Sequence, residues 1–207
     1  MKKDTETMKQ IIKEDYDRKV KKFNDLNEFN KVIIIGDSMV AYLNLNKFGL
    51  AKEVINQGIA GDTTVGVIKR LDLVIRLNPS KVILSVGSND MVLTDLSFQE
   101  TVENIVKIKD EIEAKSNSKV YVMNLTPVLR NHVITNMDYV SNRTNQDIKH
   151  INHELKKRIE NDQYINTYDE LIDKDGNLSL KYTTDGIHLN HQGYEIYSNF
   201  IHQIIKQ

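Results

Sequence analysis

The sequence predicts a three-layer αβα fold around a five-stranded parallel sheet. Short aliphatic runs, such as Val32–Ile35 and Val82–Leu84, alternate about five times with longer segments of helical periodicity. Those runs are apolar at consecutive positions, as in strands covered on both faces. Three of them end in polar loops that carry glycine: Gly36-Asp-Ser38, Gly58-Ile-Ala-Gly-Asp62 and Gly87-Ser-Asn-Asp90. In an open parallel sheet such loops share the carboxyl edge, where ligands bind.

Residues 4–29 are highly charged, with Met8, Ile12, Tyr16, Val20 and Phe23 near helical spacing. The expectation is an N-terminal amphipathic helix over residues 1–30, packed on a domain that spans 31–207. The stretch Lys31-Val-Ile-Ile-Ile-Gly36 is the first strand, β-branched throughout from Val32 to Ile35, and a helix over about 38–47 follows. Lys52–Asn56 is the second strand. Asp62 or Thr63 can cap the next helix, where Val67, Ile68, Leu71, Val74 and Ile75 form one face, and Asn78-Pro79 ends it. Lys81–Val86 is the third strand. Ser97 with Glu100 is a capping box opening a helix that turns Val102, Ile105, Val106 and Ile112 inward.

Lys119–Leu125 is the fourth strand. The connection over about 126–141 exceeds ordinary length, which favours a functional or lid-like segment, and Arg130 in it is a candidate contact for an anionic group. A helix over 142–161, a short fifth strand at Tyr164–Thr167 and a turn at Asp175-Gly-Asn177 come next. After Asp185-Gly-Ile-His188 the last helix presents Tyr194, Tyr197, Phe200, Ile201 and Ile204 on one face.

Bulk properties narrow the function. The 207 residues suit one domain with a full-sized core. Lys plus Arg number 28 against 29 Asp plus Glu, so no basic face points to nucleic acid as a partner. There is no cysteine, which excludes disulfides, thiolate metal sites and a thiol nucleophile. No apolar run approaches the ~18 residues that span a bilayer, so no stable membrane anchor is expected. Acidic residues follow Met1-Lys-Lys3 where a leader would be apolar, which suggests a cytoplasmic protein. His150 and His153 share a helix face with no third ligand indicated. Asp173, Asp175 and Gly176 lack the end ligands of a calcium loop, because Leu171 and Tyr182 stand there. No metal and no cofactor is expected. Asn142-Arg-Thr144 fits a glycosylation sequon and carries no role in a cytoplasmic chain.

The loops at the sheet edge, with Asp185-Gly-Ile-His188, bring together a hydroxyl, glycine N–H groups, a side-chain amide, an imidazole and a carboxylate. That set serves acyl transfer. Ser38 is the candidate nucleophile, His188 the base that takes its proton, and Asp185 the group that orients the imidazole. No Gly-x-Ser-x-Gly surrounds Ser38, so the strained nucleophile elbow is not expected.

The set and its order resemble the SGNH subgroup of the GDSL esterases and lipases over about residues 31–200. Gly36-Asp-Ser-Met39 resembles the first block, with Met where the pattern has Leu. Asn56-Gln-Gly-Ile-Ala-Gly-Asp-Thr-Thr64 resembles the second and puts the family glycine at Gly61. Gly87-Ser-Asn-Asp90 resembles the third, with the asparagine at Asn89, and Asp185-Gly-Ile-His188 the last. The second block is most similar to platelet-activating-factor acetylhydrolase catalytic subunits and their small bacterial relatives. The resemblance implies a flavodoxin-like SGNH hydrolase fold and a small acyl ester, such as an acetyl ester, as substrate. It also implies an oxyanion hole made of the Ser38 N–H, the Gly61 N–H and the Asn89 side chain.

Taken singly these residues have plainer readings. Ser38 is a good helix cap, Gly58 a turn glycine, Asn89 a turn residue and His188 a capping histidine. Two other functions fit parts of the chain. One is a phosphate- or nucleotide-binding module that uses the Gly36-Asp-Ser38 turn as an anion cradle, although Asp37 would repel the phosphate. The other is a catalytically silent subunit of an assembly, with the N-terminal helix as a homodimer contact.

Overall fold

The computed structural model describes residues 2–131 and 133–207, and the side chains of residues 2–9, 11 and 12 lie outside that description. Ten α-helices and five strands are found among the described residues: α1 (Lys2–Asn24), β1 (Val32–Gly36), α2 (Ser38–Ala41), β2 (Val54–Gly58), α3 (Thr64–Lys69), α4 (Asp72–Ile75), β3 (Lys81–Ser85), α5 (Asp90–Leu93), α6 (Phe98–Ser116), β4 (Lys119–Met123), α7 (Met137–Val140), α8 (Asn145–Arg158), β5 (Tyr164–Ile165), α9 (Tyr168–Leu171) and α10 (His191–Lys206). The strands form one parallel sheet in the order β2-β1-β3-β4-β5.

Each strand's alternation divides the core between two layers. Ile33, Ile35, Ile55, Val82, Leu84, Val120 and Val122 face the buried sides of α3, α4, α6 and α8. Val32, Ile34, Val54, Ile83, Tyr121 and Met123 face α2, α9 and α10. Consecutive apolar residues are therefore all buried, as a sheet covered on both faces requires.

The register levels the strand ends. Gly36 pairs with Gly58 of β2 and with Ser85 of β3, so the loops after β1, β2 and β3 leave the sheet side by side.

Several elements depart from their expected extents. The helix after β1 stops at Ala41, because the side-chain amide of Asn56 takes the carbonyls of Val40 (2.7 Å) and Leu43 (3.2 Å). The helix expected across Val67–Ile75 breaks at Arg70, whose guanidinium turns inward to Asp62. Thr63 caps α3 through Gly66 N–H (3.2 Å), which leaves Asp62 free for that ion pair. β5 has only two residues, and the connection after β4 contains α7. The capping box of Ser97 and Glu100 is present. Asp173 closes its turn by accepting from the N–H groups of Asp175 (2.9 Å) and Asn177 (3.0 Å).

α1 lies beside the second loop. Phe23 is buried, the Tyr16 hydroxyl donates to Gly66 O (3.0 Å), and Arg76 Nη2 donates to the carbonyls of Phe23, Asn24 and Leu26 at 2.7–2.9 Å. The expected inward positions Met8 and Ile12 lie outside the described side chains.

Candidate active site

β1 delivers Ser38 to the first position of α2, with Asp37 as the cap accepting from Met39 N–H (3.0 Å). Two other elements fix this short helix. Asn56 of β2 holds the carbonyls just described, and the Tyr194 hydroxyl of α10 donates to Met39 O (2.9 Å). Gly58 is not in a turn. It sits in β2 against the α2 backbone, where a Cβ would lie 2.3 Å from Ala41 N. Its lack of a side chain lets the helix approach the sheet.

From the far end of the chain, His188 Nε2 reaches Ser38 Oγ at 3.0 Å, and His188 Nδ1 lies 2.7 Å from Asp185 Oδ2. The other Asp185 oxygen accepts from the N–H groups of Ile187 (3.0 Å) and His188 (2.7 Å). Burial alone would raise the Asp185 pKa, but the His188 ring and the two N–H groups outweigh it and hold the carboxyl below its ordinary range. The Asp185–His188 loop is not held by α10 alone. Thr183 Oγ1 accepts from Gly186 N–H (3.0 Å) and donates to His188 O (2.7 Å). Leu129 N–H donates to Gly186 O and Asn136 N–H to Asp185 O, both at 2.8 Å. Gly186, at φ +86°, leaves room for Leu129 O, which a Cβ would meet at 2.5 Å.

The second and third loops supply donors. Among the described residues no acceptor engages the Ser38 or the Gly61 N–H, and Gly61 has φ +78°. Asp62 anchors the Gly61 loop through the buried pair with Arg70 (2.8 Å). Breaking such a pair from one side typically costs about 3–5 kcal/mol. Asn89 Nδ2 donates one hydrogen to Asp62 O (2.9 Å), which leaves its second without a protein acceptor among the described residues.

Three participants carried no readable signal in the sequence. Arg143, the middle residue of the Asn142-Arg-Thr144 sequon, is buried and donates to Asn89 Oδ1 at 2.7 Å. Burial lowers its pKa to about 10, against the pull of Asp37. Tyr42 and Tyr139 stand edge-on to the His188 ring, with centroids at 5.1 and 5.5 Å, and each ring is about half exposed. Arg130, the candidate anion contact, is exposed and also has a local role. Its Nη2 donates to the carbonyls of Ser141 and Arg143 and braces the connection that bears Tyr139.

A family model, the GDSL-like lipase/acylhydrolase family, matches residues 34–196. The chain belongs to this family. Its fold is that of a Streptococcus pneumonia protein provisionally named a platelet activating factor, at TM-score 0.85 and 22% identity over 99% of both chains. A GDSL-like lipase from Bacteroides thetaiotaomicron superposes at TM-score 0.80, with 22% identity over 92% of this chain and 97% of the other. An N-acylneuraminate cytidylyltransferase of Escherichia coli O18:K1:H7 is 28% identical over 89% of this chain. The GDSL-like chain spans 42% of the length of that curated relative. Among the described residues no helix is long and apolar enough to cross a membrane.

Asp37 carries a testable electrostatic signature. It is buried, and burial pushes its carboxyl up to about 7, with Met39 N–H and Arg143 opposing and Asp62 and Asp90 adding to the rise. The folded protein then keeps a proton that the unfolded chain releases at about pH 4. Stability from this group is complete below that value, declines as pH rises, and is lost above about 7. Asp37→Asn removes the decline. Thermal melts should show the variant above wild type by roughly 5 °C at pH 8 and with no advantage at pH 4. An equal difference at both pH values would disprove the assignment.

Proposed function

We propose that the protein hydrolyses short-chain acyl esters, acetyl esters foremost, through an acyl intermediate on Ser38. The observation that carries this reading is the unbroken line from Asp185 through His188 to Ser38, at 2.7 and 3.0 Å, beside unengaged N–H donors. In the proposed sequence Ser38 Oγ bonds to the carbonyl carbon while its proton passes to His188 Nε2 and the carbonyl electrons move onto oxygen. The Ser38 and Gly61 N–H groups and Asn89 Nδ2 receive that oxyanion. Its collapse breaks the bond to the alkoxide, which leaves with the His188 proton. Water, deprotonated by His188, then releases the acid. Asp185 remains ionised and stabilises the imidazolium.

The resemblance to platelet-activating-factor acetylhydrolases favours a small acyl group, and the half-exposed rings of Tyr42 and Tyr139 stand against His188. The neuraminate-handling relative makes O-acetylated acylneuraminates a sensible class for the substrate panel. The test is hydrolysis of p-nitrophenyl esters from acetate to decanoate, with mass spectrometry of the quenched enzyme for an acyl group on Ser38. Acetate should turn over best. A maximum at decanoate would reject the short-chain assignment.

Asn89→Ala should lower kcat by about 10²–10³ with little change in KM, the usual cost of one oxyanion donor. A change confined to KM would place Asn89 in ground-state binding instead.

A further inference from the structure

We infer that Arg143 is a positioning residue for this reaction, locking the side-chain amide of Asn89 with its Nδ2 toward the oxyanion. The inference rests on the proposed role of Asn89 in the oxyanion hole.

An asparagine amide can rotate by a half turn and exchange its oxygen and nitrogen with almost no change of shape. In one orientation Asn89 offers a donor to the reacting carbonyl. In the other it offers an oxygen, which repels a developing negative charge. The surroundings decide between the two, and here both ends of the amide are read. Asp62 O is an acceptor 2.9 Å from Nδ2, and Arg143 Nη2 is a donor 2.7 Å from Oδ1. Turning the amide would set oxygen against the Asp62 carbonyl and nitrogen against a guanidinium.

Arg143 is itself immobilised. Its Nε donates to Ser88 O and Ser88 Oγ, both at 2.9 Å, and its Nη1 donates to the carbonyls of Tyr139 and Val140. The residue is only 3% exposed, and among the described residues no carboxylate lies within ion-pair distance of it. A buried guanidinium is costly to keep, and this one is held entirely by backbone and neutral side-chain oxygens. Those oxygens belong to the loop after β3 and to α7, which carries Tyr139. One cation therefore ties the oxyanion amide to the segment that sets Tyr139 against His188. A planar fork can satisfy these directions at once, and an ammonium cannot.

The test is a double-mutant cycle in the full chain, read as kcat and KM for p-nitrophenyl acetate alongside thermal midpoints. Arg143→Met should lower kcat by about 10–100-fold, with KM within about threefold, as a loosened rather than deleted donor predicts. In an Asn89→Ala background the same change should alter kcat by less than about threefold, because the amide it positions is gone. Arg143→Lys keeps the charge and most of the volume. It should show the same background dependence with a smaller thermal shift, and it carries the test if Arg143→Met does not fold.

A purely structural role makes the losses additive in the two backgrounds, and that result overturns the inference while leaving the oxyanion hole intact. An Asn89→Ala enzyme with undiminished kcat removes the oxyanion role of Asn89, and the inference falls with it.

Discussion

Ser38→Ala should abolish ester hydrolysis, with kcat lower by about 10⁴–10⁶ and a thermal midpoint close to that of wild type. The size follows from the geometry. Removing Oγ takes away the group that His188 Nε2 contacts at 3.0 Å, so the imidazole has no hydroxyl to activate. Asp185 then orients a base without a nucleophile. Members of such a unit are strongly non-additive, because each acts only through the others. Residual catalysis would come from the oxyanion donors and from binding alone. The fold should tolerate the change, since the helix cap is made by Asp37 and not by Ser38. Initial rates on p-nitrophenyl acetate, with a melt of the same preparation, check both halves. Hydrolysis within tenfold of wild type would reject Ser38 as nucleophile, and a wild type as inert as the variant would revive the anion-cradle and silent-subunit readings.

The second large effect lies away from the reacting atoms. Gly58→Ala should lower the thermal midpoint by about 10 °C and reduce kcat about 100-fold at temperatures where the variant is still folded. The added Cβ would lie 2.3 Å from Ala41 N, 2.6 Å from Val40 C and 2.8 Å from Ala41 Cα, all backbone atoms of α2 or its last turn. No side chain can move aside, so the helix itself must retreat from β2. Overpacking of this kind costs about 1–3 kcal/mol or more. The same retreat strains the bonds from Asn56 to the carbonyls of Val40 and Leu43 and carries Ser38 away from His188. A displacement of about 1 Å is enough to cost two orders of magnitude in rate. Circular-dichroism melts and kcat measured well below the midpoint separate the two parts. A variant with a lowered midpoint and unchanged kcat would show that α2 is positioned by Tyr194 and Asp37 without help from β2.

How much of this could be read beforehand depends on how local each cause is. The strands were legible because consecutive β-branched residues in Val32–Ile35 need no distant partner to identify them. The gathering of Ser38, Gly61 and Asn89 at one edge was legible because a parallel sheet sends every strand end the same way. The spacing of Asp185 and His188 was legible as a motif, yet what steadies it was not. Thr183, Leu129 and Asn136 hold that loop, and the latter two belong to a connection more than 45 residues upstream. Gly58 read as a turn residue because a glycine in sequence does not say which backbone it must admit.

By itself the sequence determined the parallel αβα architecture, the order of its strands along the chain, and the polar groups delivered to one edge. These follow from periodicity and from the directionality of parallel strands, both properties of short stretches. Tertiary structure alone decided how far α2 runs, the inward turn of Arg70 to Asp62, the burial of Asp37, and the two tyrosines beside His188. It alone made Arg143 the neighbour of Asn89, across 54 residues of chain. A solitary arginine has no period and no motif. Its role exists only where folding brings an amide oxygen and two loops together around a buried guanidinium.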